Sequence, residues 1–259
     1  MKRTLLLSAI AVILFIPAMI YKTHLKASLP GAEEVVQKAV KNAFGEKSMQ
    51  AQLNVLVYNE QKIDNEIDLK VWQNYPDEYL VLVTAPARYR GNALLRKNKE
   101  VWQWQPTTDK LTKLTRSDMA EKWMDTHLTV ADFTNYHTLT DDFTASFKNL
   151  VKFNNTDSYI IELVPNSEAM QTWSRMLLWV NAQNYIIQKT EYYDEDDYLI
   201  TTAMTTQTEK TSDRVSPRVT EWVPAGQPNQ KTTVTHKSII FNQPLPENFF
   251  SIENMKIVR

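Results

Sequence analysis

The chain of 259 residues contains no cysteine and only four glycines. Without cysteine it can form neither a disulfide nor the thiol-linked lipid anchor of a lipoprotein, so its stability must come from a packed core. The glycines, Gly31, Gly45, Gly91 and Gly226, lie too far apart to build a phosphate-binding loop or a dinucleotide-binding fingerprint. The sequence therefore argues against the P-loop and Rossmann classes of nucleotide-binding protein.

Catalytic groups are also sparse. Among the four histidines, His24, His127, His137 and His236, no two have the spacing and the carboxylate partner of a metal site. No serine has the Gly-x-Ser-x-Gly setting of a hydrolase nucleophile. This inventory predicts a protein that is not an enzyme and that needs no cofactor and no metal. Two alternatives stay open: a metal shared by His127 and His137, and a hydrolase that uses one of them.

One dense cluster of carboxylates occurs, in the run Asp194-Glu195-Asp196-Asp197. A calcium-binding loop alternates its ligands and has a central glycine, and this run has neither feature. We therefore interpret the run as the acidic tip of a hairpin, with calcium binding as the alternative.

The charges nearly balance, with 29 basic and 30 acidic residues. The first 27 residues contain Lys2, Arg3, Lys22 and Lys26 and no acid, so the remainder has 25 basic and 30 acidic residues and a net charge of −5. A chain with this balance is not suited to neutralising phosphates or to adhering steadily to anionic lipid. Nucleic acid is therefore not an expected partner.

The N-terminal segment has the pattern of an export signal, because Lys2 and Arg3 precede an apolar run over residues 5–20. The run is barely long enough to cross a bilayer, which takes roughly 17–25 residues. We predict that residues 1–27 are a signal peptide or an uncleaved signal anchor. Residues 28–259 are then expected to form a single domain in the periplasm of a Gram-negative bacterium.

Hydrophobic periodicity predicts an α+β fold. Apolar residues at i, i+3, i+4 and i+7 indicate an amphipathic helix over residues 31–44, with Gly45 as its C-cap. From Met49 onward, apolar and polar residues alternate as they do on strands with one buried face. The alternating segments give about 10–11 strands, and an antiparallel sheet of that size must curl strongly or close.

The remaining segments are predicted to connect these strands. Ser117 and Thr129 can each cap a short helix, the first containing Met119 to Met124 and the second running from Val130 to about Tyr136. The polar segment 207–217 is interpreted as a turn or mobile loop, and 244–250 as an irregular closing segment.

Aromatic residues are frequent, with seven tryptophans and eleven tyrosines. Trp102 and Trp104 share one face of a predicted strand, and Val101 lies on its other face. Large aromatic side chains pack in protein cores, but they also line pockets that bind apolar ligands. Both interpretations stay open for each tryptophan.

Six segments carry a family pattern in their order and spacing: residues 84–95 (TAPARYRGNALL), 101–106 (VWQWQP), 131–136 (ADFTNY), 176–180 (MLLWV), 185–194 (YIIQKTEYYD) and 249–251 (FFS). Together, over about residues 30–255, they resemble the LolA-like group of the LolA/LolB superfamily, the bacterial outer-membrane lipoprotein-sorting proteins. Trp104 replaces the group's usual tyrosine, and Tyr136 or His137 stands where it has an aspartate. The arginine that controls the lid of the lipoprotein carrier has no evident match.

The resemblance implies a strongly curved antiparallel half-barrel, with helices covering its concave apolar face and leaving a cavity. It also implies a periplasmic, non-enzymatic carrier or chaperone in outer-membrane biogenesis. Such a protein binds lipoprotein acyl chains or another lipidic ligand and passes it between membrane partners. We expect a monomer. The residues expected to line the cavity are Leu53, Val55, Ile67, Leu69, Val81, Val83, Leu95, Trp102 and Trp104.

The alternative function is that of a protein-interaction module, either an accessory subunit or a sensor of an inner-membrane transporter of the efflux type. An uncleaved anchor would favour this alternative, because a tethered protein cannot shuttle between membranes.

Overall fold

The computed structural model describes residues 29–135, 138–167, 169–170, 172–210 and 214–259. The predicted signal segment, residues 1–27, lies outside this part of the chain. Within it, no helix combines the length and the apolar character needed to span a membrane. Its α-helices are α1 (Ala32–Phe44), α2 (Arg116–Met119), α3 (Val130–Thr134) and α4 (Ile252–Ile257).

The strands of the described residues are β1 (Ser48–Asn59), β2 (Lys62–Asn74), β3 (Glu78–Ala85), β4 (Ala93–Lys97), β5 (Glu100–Gln105), β6 (Lys110–Lys113), β7 (Phe143–Phe153), β8 (Thr156–Pro165), β9 (Arg175–Asn181), β10 (Ile187–Tyr193), β11 (Leu199–Lys210), β12 (Val215–Pro224) and β13 (Gln230–Phe241). They form one sheet in the order β6-β5-β4-β3-β2-β1-β13-β12-β11-β10-β9-β8-β7. Two antiparallel meanders, β1–β6 and β7–β13, thus meet at the β1–β13 pair. The sheet is not closed, and the predicted α+β half-barrel is confirmed.

The sheet has thirteen strands, more than the number predicted. Periodicity gives no signal for β6, whose four residues are all exposed or half-buried. The prediction of a turn or loop over 207–217 is wrong for 207–210 and 215–217, because β11 continues to Lys210 and β12 begins at Val215, while 211–213 lie outside the described residues. The last residues of β11 are polar and exposed, so no apolar face marks them as part of a sheet.

The predicted helix over 31–44 is confirmed as α1, and Gly45 follows it with a φ of +81°. Thr129 caps α3 as predicted: it accepts a hydrogen bond from the Asp132 backbone at 3.2 Å, and the Asp132 carboxylate accepts one from the Thr129 backbone at 2.8 Å. The prediction that Ser117 is a cap is wrong, since Thr115 caps α2 in the same reciprocal way. α2 also ends earlier than predicted, because the following residues form turns.

The inner face of the sheet is defined here by Val55 and Val81 in the first meander and by Ile161 and Leu178 in the second. The apolar side of α1 covers the second meander. The first meander is covered by residues 114–135, which contain α2 and α3 and are called the insert below. Each half of the inner face therefore has its own cover and its own apolar core.

The opposite, outer face of β3, β4 and β5 has a smaller apolar core. Leu80, Leu82 and Leu95 pack there against Phe250 and Met255 from the end of the chain. The segment 244–250 is irregular, as predicted, and it leads into α4 on this face.

Arg96 of β4 joins the insert to the sheet. It is 2% exposed, and it donates hydrogen bonds from Nε to Asp77 at 2.8 Å, from Nη1 to Asn135 at 2.6 Å and from Nη2 to Asp142 at 3.2 Å. Asn135 is the C-cap of α3, and Asp142 also accepts a bond from the Thr138 hydroxyl at 2.6 Å. Since the guanidinium is rigid and planar, these bonds fix the end of the insert relative to β4 and β7.

Candidate ligand-binding site

An apolar cavity of about 120 Å³ lies on the inner face, where α1 and the insert meet. The central strands β11, β12 and β13 form its floor, and the end of α1, the insert and β1 form its walls. Its apolar lining includes Phe44, Leu53, Leu128, Phe133, Trp222 and Val234.

The floor of the cavity carries small side chains. Thr205, Thr220 and Val234 lie side by side across β11, β12 and β13, and Ala203 occupies the next inner position of β11. These side chains rise less above the sheet than the leucines and isoleucines of the two cores. The covers therefore leave a space above them instead of packing it to normal protein density.

Two aromatic residues connect the cores across this space. Phe44, the last residue of α1, and Trp222 of β12 each pack against the cores of both halves. The Nε1 of Trp222 is buried and has no hydrogen-bond partner among the described residues. The cavity thus lies between two cores that are joined through these two aromatic side chains.

Burial favours the uncharged form of two ionisable side chains that border the cavity, Asp132 and His236. Burial raises the pKa of the Asp132 carboxyl, which accepts a hydrogen bond from the indole of Trp173 at 3.1 Å. Burial lowers the pKa of the His236 imidazole, whose Nδ1 donates to the carbonyl of Pro217 at 2.7 Å. Such a lining suits an uncharged, apolar ligand better than an ion.

Lys189 of β10 also borders the cavity. Its Nζ lies 2.6 Å from Oε1 of Glu191 and 4.3 Å from the centre of the Trp179 ring. The ammonium charge is therefore compensated by neighbouring strand residues and is not directed at the cavity.

The buried imidazole predicts an acid-sensitive stability. The pKa of His236 is lower in the folded protein than its ordinary value of 6.5, so the unfolded chain takes up the proton first as the pH falls. The stabilisation is complete above about pH 6.5 and is lost as the pH falls below it. Between about pH 7 and pH 5, we expect the free energy of unfolding to fall more steeply in the wild type than in His236→Asn, as measured by urea unfolding.

A matched control for this measurement is His127→Asn. Burial lowers the pKa of His127 too, but its side chain is less deeply buried, so its replacement should flatten the pH dependence less. Equal slopes for the wild type and His236→Asn would contradict the interpretation of His236.

The structure places six of the nine predicted site residues on the inner face. Leu53 lines the cavity. The other five lie in the core beneath the insert, where they contact side chains of the protein itself: Val55, Ile67, Leu69, Val81 and Val83. Contact of any of the six with a ligand stays a prediction.

Leu95, Trp102 and Trp104 lie on the outer face and do not line this cavity. Leu95 is opposite Leu80 of β3, and Trp102 is in turn opposite Leu95. Trp104 contacts the end of the chain, with Nζ of Lys256 at 4.7 Å from its ring centre. Alternation along a strand separates its residues into two faces. Which of these faces lies on the inner side of the sheet depends on the register with the neighbouring strands, and the alternation does not reveal that register.

The sequence-based prediction missed the residues of the central strands: Ala203, Thr205, Thr220 and Trp222. Threonine and other polar residues dominate β11, so its inner face lacks the apolar stripe that marks a core strand. Trp222, the one tryptophan in β11 and β12, was the available signal.

Of the residues that were alternative metal or catalytic sites in the sequence, His127 and the acidic run do not line the cavity. The Nδ1 of His127 lies 2.9 Å from the Thr232 hydroxyl, whereas His137 lies outside the described residues. The run 194–197 forms the turn between β10 and β11, as predicted, and Asp194 accepts hydrogen bonds from the backbone of Asp196 and Tyr198. In the part of the chain that the structure describes, no three histidines or carboxylates cluster in a way that could hold a metal.

Comparisons with known proteins agree with this architecture. A family model described as an uncharacterized protein matches residues 76–257. No curated protein matches the sequence.

Three solved structures have a similar fold. A domain described as an outer membrane lipoprotein-sorting protein of Vibrio parahaemolyticus is 16% identical, with a TM-score of 0.76, over 87% of this chain and 98% of that one. A LolA superfamily protein of Nitrosomonas europaea is 19% identical, with a TM-score of 0.75, over 86% and 99%. A DUF1329 family protein of Desulfovibrio piger is 15% identical, with a TM-score of 0.76, over 87% and 99%. These likenesses confirm the predicted LolA-like fold.

Proposed function

Since the chain belongs to the uncharacterized-protein family that matches residues 76–257 and has the LolA-like fold, we propose that it is a non-enzymatic carrier of a lipidic ligand. The ligand is the acyl chain of a lipoprotein or of another lipid, and the carrier passes it between membrane partners. The observation that carries this proposal is the apolar cavity between the two covers of the inner face.

The energetics favour a carrier of apolar chains. Burial of a methylene group of an acyl chain contributes about 0.8 kcal/mol. Transfer of such a chain through water is therefore unfavourable unless a protein shields it. The cavity offers Phe44, Leu128 and Phe133 as contacts, and burial favours the uncharged forms of Asp132 and His236 beside it.

The cavity must enlarge to take a long chain. Its volume of about 120 Å³ is below the roughly 300–1,000 Å³ that small-molecule sites have. The insert is the part that moves: it contributes Leu128 and Phe133 to the wall, and its only regular elements are two helices of four and five residues. Short elements of this kind open locally at lower free energy than the paired strands of the floor.

The same proposal includes the location of the carrier, its oligomeric state and its partners. Residues 1–27 export the chain to the periplasm of a Gram-negative bacterium, and the domain acts there as a monomer. The sorting protein of Vibrio parahaemolyticus, which shares the fold, supports lipoprotein as the cargo. An inner-membrane transporter is the proposed donor of that cargo.

The proposal is tested by ligand binding to the delipidated protein. A fluorescent fatty-acid probe is expected to bind saturably at a single site, and unlabelled fatty acid is expected to compete for it. A protein that excludes the probe at all concentrations below micelle formation would not be a lipid carrier.

The second candidate function is the accessory or sensor module of a membrane transporter. It is favoured by a run of exposed apolar residues, Tyr198, Leu199 and Ile200, which follows the acidic tip at the start of β11. Exposed apolar residues that adjoin each other are typical of protein interaction sites. Exclusion of the probe, together with loss of partner binding in Tyr198→Ser, would favour this function over the carrier.

A further inference from the structure

A polar cleft lies on the inner face near the β6 edge of the sheet, on the other side of the insert from the apolar cavity. It has a volume of about 490 Å³ and lies between the insert, strands β5 and β6, and the turn that precedes β4. This volume is within the roughly 300–1,000 Å³ that small-molecule sites have. The carrier function proposed above does not use the cleft.

Neutral hydrogen-bonding side chains line the sheet side of the cleft. Asn92, Gln103, Gln105 and Thr112 are all at its surface, and Gln103 is opposite Thr112 in the β5–β6 pair. Trp123 of the insert adds an aromatic ring. Amides and hydroxyls beside a ring offer both hydrogen bonds and a flat apolar surface.

Two of these side chains have buried polar atoms without a partner within the described residues. Asn92 is 7% exposed and its Oδ1 accepts no hydrogen bond, whereas Trp123 is 4% exposed and its Nε1 donates none. Buried polar atoms are nearly always paired, and an unpaired one costs about 1–3 kcal/mol. One unpaired acceptor and one unpaired donor fit a ligand group that both donates and accepts, as a hydroxyl does.

The charges around the cleft favour a neutral ligand. Two lysines and three carboxylates line it, so charges of both signs are present. Two of the carboxylates are already bonded: Asp125 accepts from the Tyr89 hydroxyl at 2.7 Å, and Asp118 accepts from the Thr115 backbone at 2.6 Å. An ion of either sign would be repelled by the side chains of like charge here, whereas a neutral group would not.

A pair of aromatic rings stands between the cleft and the cavity. Trp123 lines the cleft and Phe133 lines the cavity, and their ring centres are 4.8 Å apart in an edge-to-face arrangement. A ligand in one site is therefore next to the wall of the other.

We propose that the cleft is a second binding site, which takes a neutral, hydroxyl-rich group of the sugar class through Asn92 and Trp123. The group arrives as a free saccharide or as the polar head of a glycolipid whose acyl chain lies in the cavity. The second source rests on the proposed carrier function, but the first does not.

The test uses NMR of the ¹⁵N-labelled, delipidated protein, in which the indole N–H signal of Trp123 is assigned with Trp123→Phe. The protein is titrated with the methyl glycosides of glucose, galactose, mannose and N-acetylglucosamine, and with octyl glucoside below its micellar concentration. A saturable shift of the Trp123 signal is expected. A shift with methyl glycosides identifies a free saccharide as sufficient, and a shift with octyl glucoside alone identifies a glycolipid head.

The Trp222 signal reports on the cavity in the same titration. If octyl glucoside shifts the Trp222 signal and no sugar shifts the Trp123 signal, the proposed sugar site in the cleft is wrong. The proposed carrier function is not contradicted by that result. A shift of Trp123 with octyl glucoside, without any shift of Trp222, would support the cleft and count against the carrier.

Variants then assign the site. Asn92→Leu is expected to weaken sugar binding about tenfold, because it removes the acceptor but keeps the backbone bonds to Tyr89 and Val83. Gln105→Ala, at a half-buried position, is a second variant that disturbs packing less. Trp102→Phe on the outer face is the matched control and should leave the affinity unchanged. Unchanged affinity in both Asn92→Leu and Gln105→Ala would overturn the proposal.

Discussion

Replacement of Arg96 by methionine is expected to lower the free energy of unfolding by about 3–5 kcal/mol, because it leaves a buried charge without its partner. Asp142 is 5% exposed and would lose the guanidinium 3.2 Å away, while Asn135 would lose the bond that ties the end of α3 to β4. Urea unfolding, followed by far-ultraviolet circular dichroism, measures the change as a lower midpoint at an unchanged slope.

The matched control is Lys152→Met, which removes an exposed ion pair. Lys152 is 70% exposed and its Nζ lies 2.9 Å from Asp157, so its loss should cost less than about 1 kcal/mol. Addition of Asp142→Leu to Arg96→Met should restore part of the stability, because it removes the uncompensated carboxylate. If Arg96→Met costs no more than Lys152→Met, then Arg96 does not hold the insert.

Replacement of Ala203 by leucine is expected to weaken binding of the fatty-acid probe about 50-fold. The new side chain adds three carbon atoms above the floor of the cavity and so takes the space of about three methylene groups of the ligand. At about 0.8 kcal/mol for each group, the loss is about 2.4 kcal/mol. Fluorescence titration of the delipidated variant measures it.

Ala87→Leu is the control for this substitution, since Ala87 is exposed in the turn between β3 and β4 and the same side chain there meets no cavity. Ala203→Leu should fold normally, because an apolar side chain added beside an existing space costs little. A variant that folds and binds the probe as tightly as the wild type would place the ligand elsewhere.

The sequence predicts the fold best where one face of a strand is consistently apolar. In β1 and β2 the alternation of Leu53, Val55, Ile67 and Leu69 with polar residues identifies strands and face together. In β11 the exposed end carries threonine, glutamine and charged residues on both faces. There only the backbone pairing with the start of β12 keeps the chain extended, and no side-chain pattern in the sequence announces that pairing.

The candidate site is less predictable for the same reason. Leu53 is found because its own strand marks it, whereas Trp104 is misplaced because its face depends on the register of β4 against β3 and β5. The cavity itself arises from residues as distant in the chain as Phe44 and Trp222. Its existence depends on what the two covers leave unfilled, which is a property of packing and not of any segment.

The junction between β1 and β13 has a consequence for how the protein folds. Met49 pairs with Phe241, so nearly the whole described chain separates the two partners, and closing so long a loop costs entropy that later contacts must offset. The hairpins of each meander are local and can form early. The cavity spans the junction, so it forms only when the last strand docks. A nascent chain thus lacks the cavity until β13 has been synthesised and has paired with β1.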